Sequence, residues 1–261
     1  MKNALFVIDP QNDFCENTGS LYVPGATGDM SRLAAFLRRN AANIDEIFIT
    51  ADDHQPNDIS HPAFWVDAQG NNPAPFTSIS AEDVKNKVFA PVDGNVSRAV
   101  DYLSKLESEG KYAHTIWPVH CLSGTCGADI CKTFMDAVLE WAAQTKGYYT
   151  IVRKGAYPYS EHFGAFKAEV VNPDFPETMF NYKLADTLNK FDTIYIAGEA
   201  KSHCVANTIS QLFDTMPELV SKLVILEDAM GCVAGFEHAA DAVYQTAKDR
   251  GAKFSDTGLT V

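Results

Sequence analysis

The chain has no basic run. Its 21 Lys and Arg are outnumbered by 34 Asp and Glu, giving a formal net charge of −13 at pH 7. A surface of that sign argues against nucleic acid or an anionic membrane as the main partner, and solubility is its plain use. Long apolar runs are also missing. The N-terminal run Ala4 to Ile8 is too short for a signal-peptide core and meets Asp9 at once, so neither an export signal nor a membrane span is read and a cytoplasmic location is expected. There is no internal repeat and no low-complexity segment. Three loops common among α/β enzymes are lacking as well: no G-x-G-x-x-G follows the first strand, and neither a Walker A pattern nor a G-x-S-x-G elbow occurs. Dinucleotide binding, phosphoryl transfer and serine hydrolysis therefore lack their loops.

Cysteine is present but scattered. Six residues at positions 15, 121, 126, 131, 204 and 232 do not make a small secreted scaffold, which favours reduced thiols. The even spacing of Cys121, Cys126 and Cys131 matches no zinc signature. With 46% apolar residues in 261, the chain can bury one large core, and a single domain over 1–261 is expected.

Strand-like and helix-like segments alternate. Leu5–Ile8, Ile44–Thr50, Tyr149–Val152, Thr193–Ala197, Lys222–Glu227 and Gly251–Phe254 read as strands. Met30–Asn40, Val96–Glu109, Ala128–Gln144, Phe180–Leu188, Val205–Phe213 and Val233–Arg250 read as helices. Residues 57–91 have no clear period and are rich in Pro, Asn and Asp, as expected of a long ordered insertion or lid, and a polar loop with aromatics runs over 157–176. Continuous apolar strands between helices imply strands buried on both faces. The fold class is therefore doubly wound α/β: a mostly parallel six-stranded sheet with helices on both sides.

The stretch Ala197 to Ile209, AGEAKSHCVANTI, places Cys204 where a buried strand turns into a helix. Free N–H groups and the dipole of a helix start favour a thiolate there. In doubly wound folds the ligand crevice lies beyond the carboxyl ends of the strands. Asp9, Asp52, Lys154 and Cys204 each fall at or just past such an end, on different expected strands. Singly each has an ordinary structural explanation, but together they form a candidate site with a thiol nucleophile. A base is needed. His203 is adjacent to Cys204, and neighbouring side chains point apart, so Asp9 held by Lys154 is the better candidate. Asp52 and His54 are spaced to lie on one face of a strand end, and His120 sits beside Pro118 where regular helix is interrupted, a moderate metal-site signal.

Five stretches, VIDPQNDF at 7–14, TADDH at 50–54, WPVHCLSGT at 117–125, VRKG at 152–155 and AGEAKSHCV at 197–205, together resemble the isochorismatase-like cysteine hydrolases, and within them the nicotinamidase branch. The resemblance implies a catalytic triad of Asp9, Lys154 and Cys204 and a divalent metal, commonly zinc, with manganese or iron as alternatives, on Asp52, His54 and His120. It also implies an oxyanion hole from the backbone N–H groups of Ala200 and Cys204, a cis peptide at Glu199–Ala200, and Phe14 and Trp117 flanking the substrate ring. Besides the insertion at 57–91 and the loop at 158–163, two motifs depart from the branch. A histidine usual after the metal pair is replaced by Asn57-Asp58-Ile59-Ser60 with His61 displaced, and the cysteine motif carries Glu199-Ala200-Lys201-Ser202. The two long loops are candidates to line the pocket, and the roles of His61 and His162 are left open.

The expected activity is a nicotinamidase-like amidohydrolase making nicotinate and ammonia through a cysteine thioester. The alternative keeps the triad and acts on another small carboxamide or carbamoyl compound. A catalytically idle binding domain is a third reading, against which the intact Asp, Lys and Cys set counts. A small carboxamide is the expected partner, and self-association is left open.

Overall fold

Six apolar stretches pair side by side as parallel strands, and their order in the sheet sets which side chains meet at its rim. The computed structural model describes residues 1–109 and 113–261. Its strands are β1 (Asn3–Ile8), β2 (Glu46–Asp52), β3 (Trp65–Asp67), β4 (Phe89–Pro91), β5 (Tyr148–Lys154), β6 (Thr193–Gly198), β7 (Leu223–Leu226) and β8 (Lys253–Ser255). Its helices are α1 (Asn12–Cys15), α2 (Ala26–Arg39), α3 (Ala81–Lys85), α4 (Val96–Glu109), α5 (Lys132–Thr145), α6 (Tyr182–Leu188), α7 (Ala206–Thr215), α8 (Pro217–Val220) and α9 (Asp241–Asp249). The main sheet has six strands in the order β5-β2-β1-β6-β7-β8, every neighbouring pair parallel. This is the doubly wound α/β architecture expected from the sequence.

Both faces of the sheet are covered, which is why its inner strands lack a polar side. Leu5, Val7, Ile47, Ile49, Tyr195 and Ala197 pack with α2 and α5, whereas Ala4, Phe6, Ile8, Phe48, Ile194 and Ile196 pack with α6, α7 and α9. Each of the Val, Leu, Ile and Phe side chains among them contributes roughly 1.5–3 kcal/mol by leaving water. The edge strand β5 is the exception: Tyr148, Thr150 and Ile151 are exposed, and Lys154 at its end is buried.

The expected insertion at 57–91 holds α3 and the antiparallel pair β3–β4, and with α4 it builds a separate apolar cluster around Trp65, Leu103 and Ile116. Three helix starts lie four or more residues from the sequence reading, one of them α5, which begins at Lys132 rather than Ala128. Helix α2 starts at Ala26, four residues before the expected Met30. The expected helix Val233–Arg250 is helical only from Asp241. Gly235 takes φ +85°, which breaks helical progression, and Phe236 packs at ring-centroid distances of 4.9 Å on His203 and 5.9 Å on Trp117. Aromatic packing at the site thus overrides local helical period. Among the described residues no helix is long and apolar enough to cross a membrane.

Candidate active site

Four adjacent strands, β5, β2, β1 and β6, deliver one reactive group each to the same rim. Asp9 follows β1 with φ 44°, an uncommon conformation for a non-glycine residue that turns its carboxylate toward the sheet end. Its backbone N–H donates to Thr50 Oγ1 at 3.0 Å, and that hydroxyl donates back to Asp9 Oδ1 at 2.6 Å. Asp52 closes β2, where Gln11 grips its backbone on both sides: the Gln11 amide donates to Asp52 O and accepts from Asp52 N–H, both at 2.7 Å. Lys154 ends β5 with its ammonium 2.9 Å from Asp9 Oδ2, 2.5 Å from Asp52 Oδ1 and 3.8 Å from Cys204 Sγ. The carbonyl oxygen of His162 accepts a further hydrogen bond from it at 2.9 Å. All four side chains are buried.

Cys204 reaches the rim through the segment after β6. Gly198 at its head takes φ +115°, and a Cβ there would stand 2.1 Å from the Ile8 carbonyl oxygen, so only glycine lets β6 approach β1 so closely. A cis peptide joins Glu199 to Ala200, and Lys201–Val205 forms one wide, π-type turn before α7. Thr208 ties this turn down by donating to Cys204 O at 2.7 Å.

The charges follow from burial. Burial pushes the Asp9 carboxyl up to about 6, opposed by Lys154 and reinforced by Asp52. Asp52 is also buried, but Lys154 and the neighbouring histidines outweigh that and hold it far below the usual carboxylate range. Burial pushes the Cys204 thiol well up, with the charges of Asp9 and Asp52 adding to it against Lys154. The sequence expectation of a favoured thiolate is therefore corrected. At rest the sulfur is a thiol, because a desolvated site beside two carboxylates outweighs the dipole of a helix start.

Beside this group, single ligand atoms of Asp52, His54 and His120 lie within 4.8 Å of one another. The donor set fits a divalent cation. His54 Nδ1 lies 3.0 Å from Asp58 Oδ2 and His120 Nδ1 lies 2.8 Å from the Pro118 carbonyl oxygen, so each ring has its far nitrogen tied and its Nε2 left for a ligand bond. Burial favours neutral His54, yet Asp58 and Asp52 outweigh it and keep the ring protonated, so these carboxylates create a place for positive charge. Burial and the neighbouring His54 and His61 lower His120 to about 3, keeping it a neutral donor.

The adjoining cavity is lined by Phe14, Leu21, Trp117, Glu161, His162, Phe163, Ala200, His203 and Val233 together with Asp52, His54, His120 and Cys204. Phe14 and Trp117, expected from the motifs, are both in its wall.

Comparison with known proteins gives relatives of the same fold. A curated nicotinamidase of Saccharomyces cerevisiae is 25% identical over 211 residues, covering 78% of each chain. A solved nicotinamidase/pyrazinamidase of Acinetobacter baumanii superposes with a TM-score of 0.64 at 21% identity, covering 98% of this chain and 97% of that one. The pyrazinamidase of Pyrococcus horikoshii, solved in complex with zinc, gives a TM-score of 0.55 at 19% identity over 98% and 99% of the two chains. These likenesses, at identities of 25% and below, show the fold that the chain shares with the nicotinamidase and pyrazinamidase structures. No family model matches the chain.

Several residues around the site were legible in the sequence only as members of loops that could line the pocket, without individual roles. Glu161, His162 and Phe163 come from the irregular 157–176 loop, and Trp117 Nε1–H donates to Glu161 Oε1 at 3.0 Å. Burial raises that carboxyl to about 8, so it is largely protonated at neutral pH. Asp58 and His61 come from the insertion and stand behind His54 and His120; contrary to the expectation for this loop, none of its residues lines the cavity. His61 packs against His54 and His120 with centroids 5.2 and 5.1 Å apart. Gln11 and Thr50 were inside quoted motifs, but their roles as struts become visible only when β1 and β2 are paired.

Proposed function

We propose that this protein is a metal-dependent amidase that hydrolyses nicotinamide to nicotinate and ammonia through a thioester on Cys204, with Asp9, Lys154 and Cys204 as its catalytic triad. The observation that carries this reading is the placement of the Lys154 ammonium 2.9 Å from Asp9 Oδ2 and 3.8 Å from Cys204 Sγ, beside a cavity walled by Phe14 and Trp117. The curated relative, a nicotinamidase, supports the substrate.

The residues divide the work as follows. The Asp9 carboxylate takes the Cys204 proton, and the sulfur attacks the carboxamide carbon to form the C–S bond. Lys154 stays charged, because burial is outweighed by Asp52 and Asp9, and it balances the negative charge passing between carboxylate and sulfur. The oxyanion is assigned to the backbone N–H groups of Ala200 and Cys204, where losing one donor typically costs about 2.7–4 kcal/mol in related chemistry. Asp9 returns the proton to the amide nitrogen, the C–N bond breaks and ammonia leaves. Water then attacks the thioester as Asp9 takes its proton, the C–S bond breaks, and nicotinate and the thiol are released. A divalent ion, proposed to be zinc, would be held by Asp52, His54 and His120 and would supply an electrophilic open position for the ring nitrogen of a pyridine.

The test is ammonia release across a panel of small carboxamides, with Cys204→Ala as control. Nicotinamide is expected to be the preferred substrate. Cys204→Ala should lose essentially all turnover while keeping its circular dichroism spectrum, and preference for a different carboxamide would reassign the substrate without disturbing the triad.

A further inference from the structure

Burying an imidazole nitrogen without a partner is costly, and proteins almost always avoid it. The histidines of the site obey this. His54 Nδ1 meets Asp58, His61 Nδ1 meets the Gln55 carbonyl at 3.0 Å, His120 Nδ1 meets the Pro118 carbonyl, and His203 Nδ1 meets Ser202 Oγ at 2.9 Å. His162 is different. It is 8% exposed and lines the cavity, and among the described residues it is the one histidine whose buried ring nitrogen, Nε2, lacks a hydrogen-bond partner. Its backbone is not loose, since its carbonyl oxygen accepts from Lys154 Nζ at 2.9 Å and so fixes the residue on the Asp9–Lys154 side of the nucleophile. Burial, with the Lys154 charge adding to it, lowers the ring to about 3, so it is a neutral imidazole whose Nε2 is an acceptor when the proton sits on Nδ1.

The position decides what the nitrogen meets. The carbonyl oxygen of a bound carboxamide is assigned to the backbone N–H groups of Ala200 and Cys204. The amide nitrogen leaves toward Asp9, which must protonate it, and this is the side on which His162 is anchored. We propose that His162 is a specificity-determining residue whose Nε2 accepts an N–H of the substrate's primary carboxamide, selecting amides that carry two hydrogens over esters that carry none. The inference rests on the amidase reading given above. A hydrogen bond that only the amide can supply discriminates through the buried acceptor: an ester oxygen in its place brings a second lone pair against Nε2 and leaves both unsatisfied.

The experiment compares nicotinamide with methyl nicotinate by kcat/KM in the wild-type holoenzyme, His162→Phe and His162→Gln, with thermal melts to confirm folding. Phe keeps the ring's bulk without its acceptor, and Gln restores an oxygen near the place of Nε2. The amide-to-ester ratio is expected to fall about tenfold or more in His162→Phe and to recover in part in His162→Gln. Equal loss on both substrates, or an unchanged ratio in a folded His162→Phe, overturns the assignment while leaving the amidase reading in place. Should His162→Phe not fold, the comparison rests on His162→Gln, where a ratio far below wild type overturns the accepting role and a ratio near it supports it. A wild-type enzyme that releases no ammonia from nicotinamide overturns the amidase reading and this inference together.

Discussion

At the residue scale the decisive fact is that burial reverses what a helix start does for a thiol. Cys204 is a thiol at rest, so the proposed reaction depends on Asp9 being ionised to take its proton. Asp9 is pushed up to about 6, chiefly by burial. Below that pH it is protonated and cannot act as a base, so kcat/KM should rise about tenfold per pH unit through the acid limb and level off above about pH 6. Thr50 donates to Asp9 and lowers its pKa, so Thr50→Val should move the acid limb to higher pH. A pH–rate profile for the two proteins checks this, and a limb that stays in place or moves down would refute Asp9 as the group responsible. The same burial changes the labelling expected from sequence. Cys204 is buried with a raised thiol, whereas Cys126 is exposed. Limiting iodoacetamide should therefore modify Cys126 before Cys204, as read by mass spectrometry of the peptides. Cys204 labelled first would mean that its thiolate is populated after all. Sequence places the sulfur at the end of a strand; it does not report how much water reaches it.

At the scale of elements, the strands were legible because their burial on both faces leaves unbroken apolar runs, as in Leu5–Ile8 and Thr193–Ala197. Their ends located Asp9, Asp52, Lys154 and Cys204 on one rim. The less regular parts were not legible for a physical reason. Glu161 and His162 lie in a loop without period, and Val233–Phe236 has the apolar content of a helix but is held out of one by Gly235 and by the packing of Phe236 on His203. The most consequential element end is that of β5, an exposed edge strand whose last side chain is buried between two carboxylates. Lys154→Met preserves much of the stem's volume and removes the ammonium. It leaves Asp9 and Asp52 without the ammonium between them, a change that costs roughly 3–5 kcal/mol where one partner of a buried ion pair is lost. Urea denaturation of metal-free protein should show a loss of that order, and turnover should vanish. A variant as stable as wild type would mean that the two carboxylates are better solvated than their burial indicates.

At the scale of the whole molecule, the candidate metal site connects parts of the chain that are far apart in sequence. Asp52 and His54 belong to the end of β2 and the residues just after it, His120 to the segment between α4 and α5, and the supporting Asp58 to the 57–91 insertion. An ion bound there holds the insertion and the Trp117–His120 wall against the sheet, so its loss should be felt in stability as well as turnover. Binding only to the folded state stabilises by about 4 kcal/mol when free ion is near 1,000 times its dissociation constant. Chelation should therefore lower the melting temperature and reduce nicotinamide hydrolysis, and zinc, manganese or iron should restore both. His120→Ala should start from the lower melting temperature and respond little to chelator, which separates loss of the ion from any direct action of the chelator on the fold. A benzamide substrate, without the ring nitrogen, should be poorer with metal present and less affected by its removal. Elemental analysis finding no metal, together with unchanged melting and turnover in chelator, would count against the ligand set and direct attention to a pocket that orients its substrate through Glu161, His162 and the aromatic walls alone.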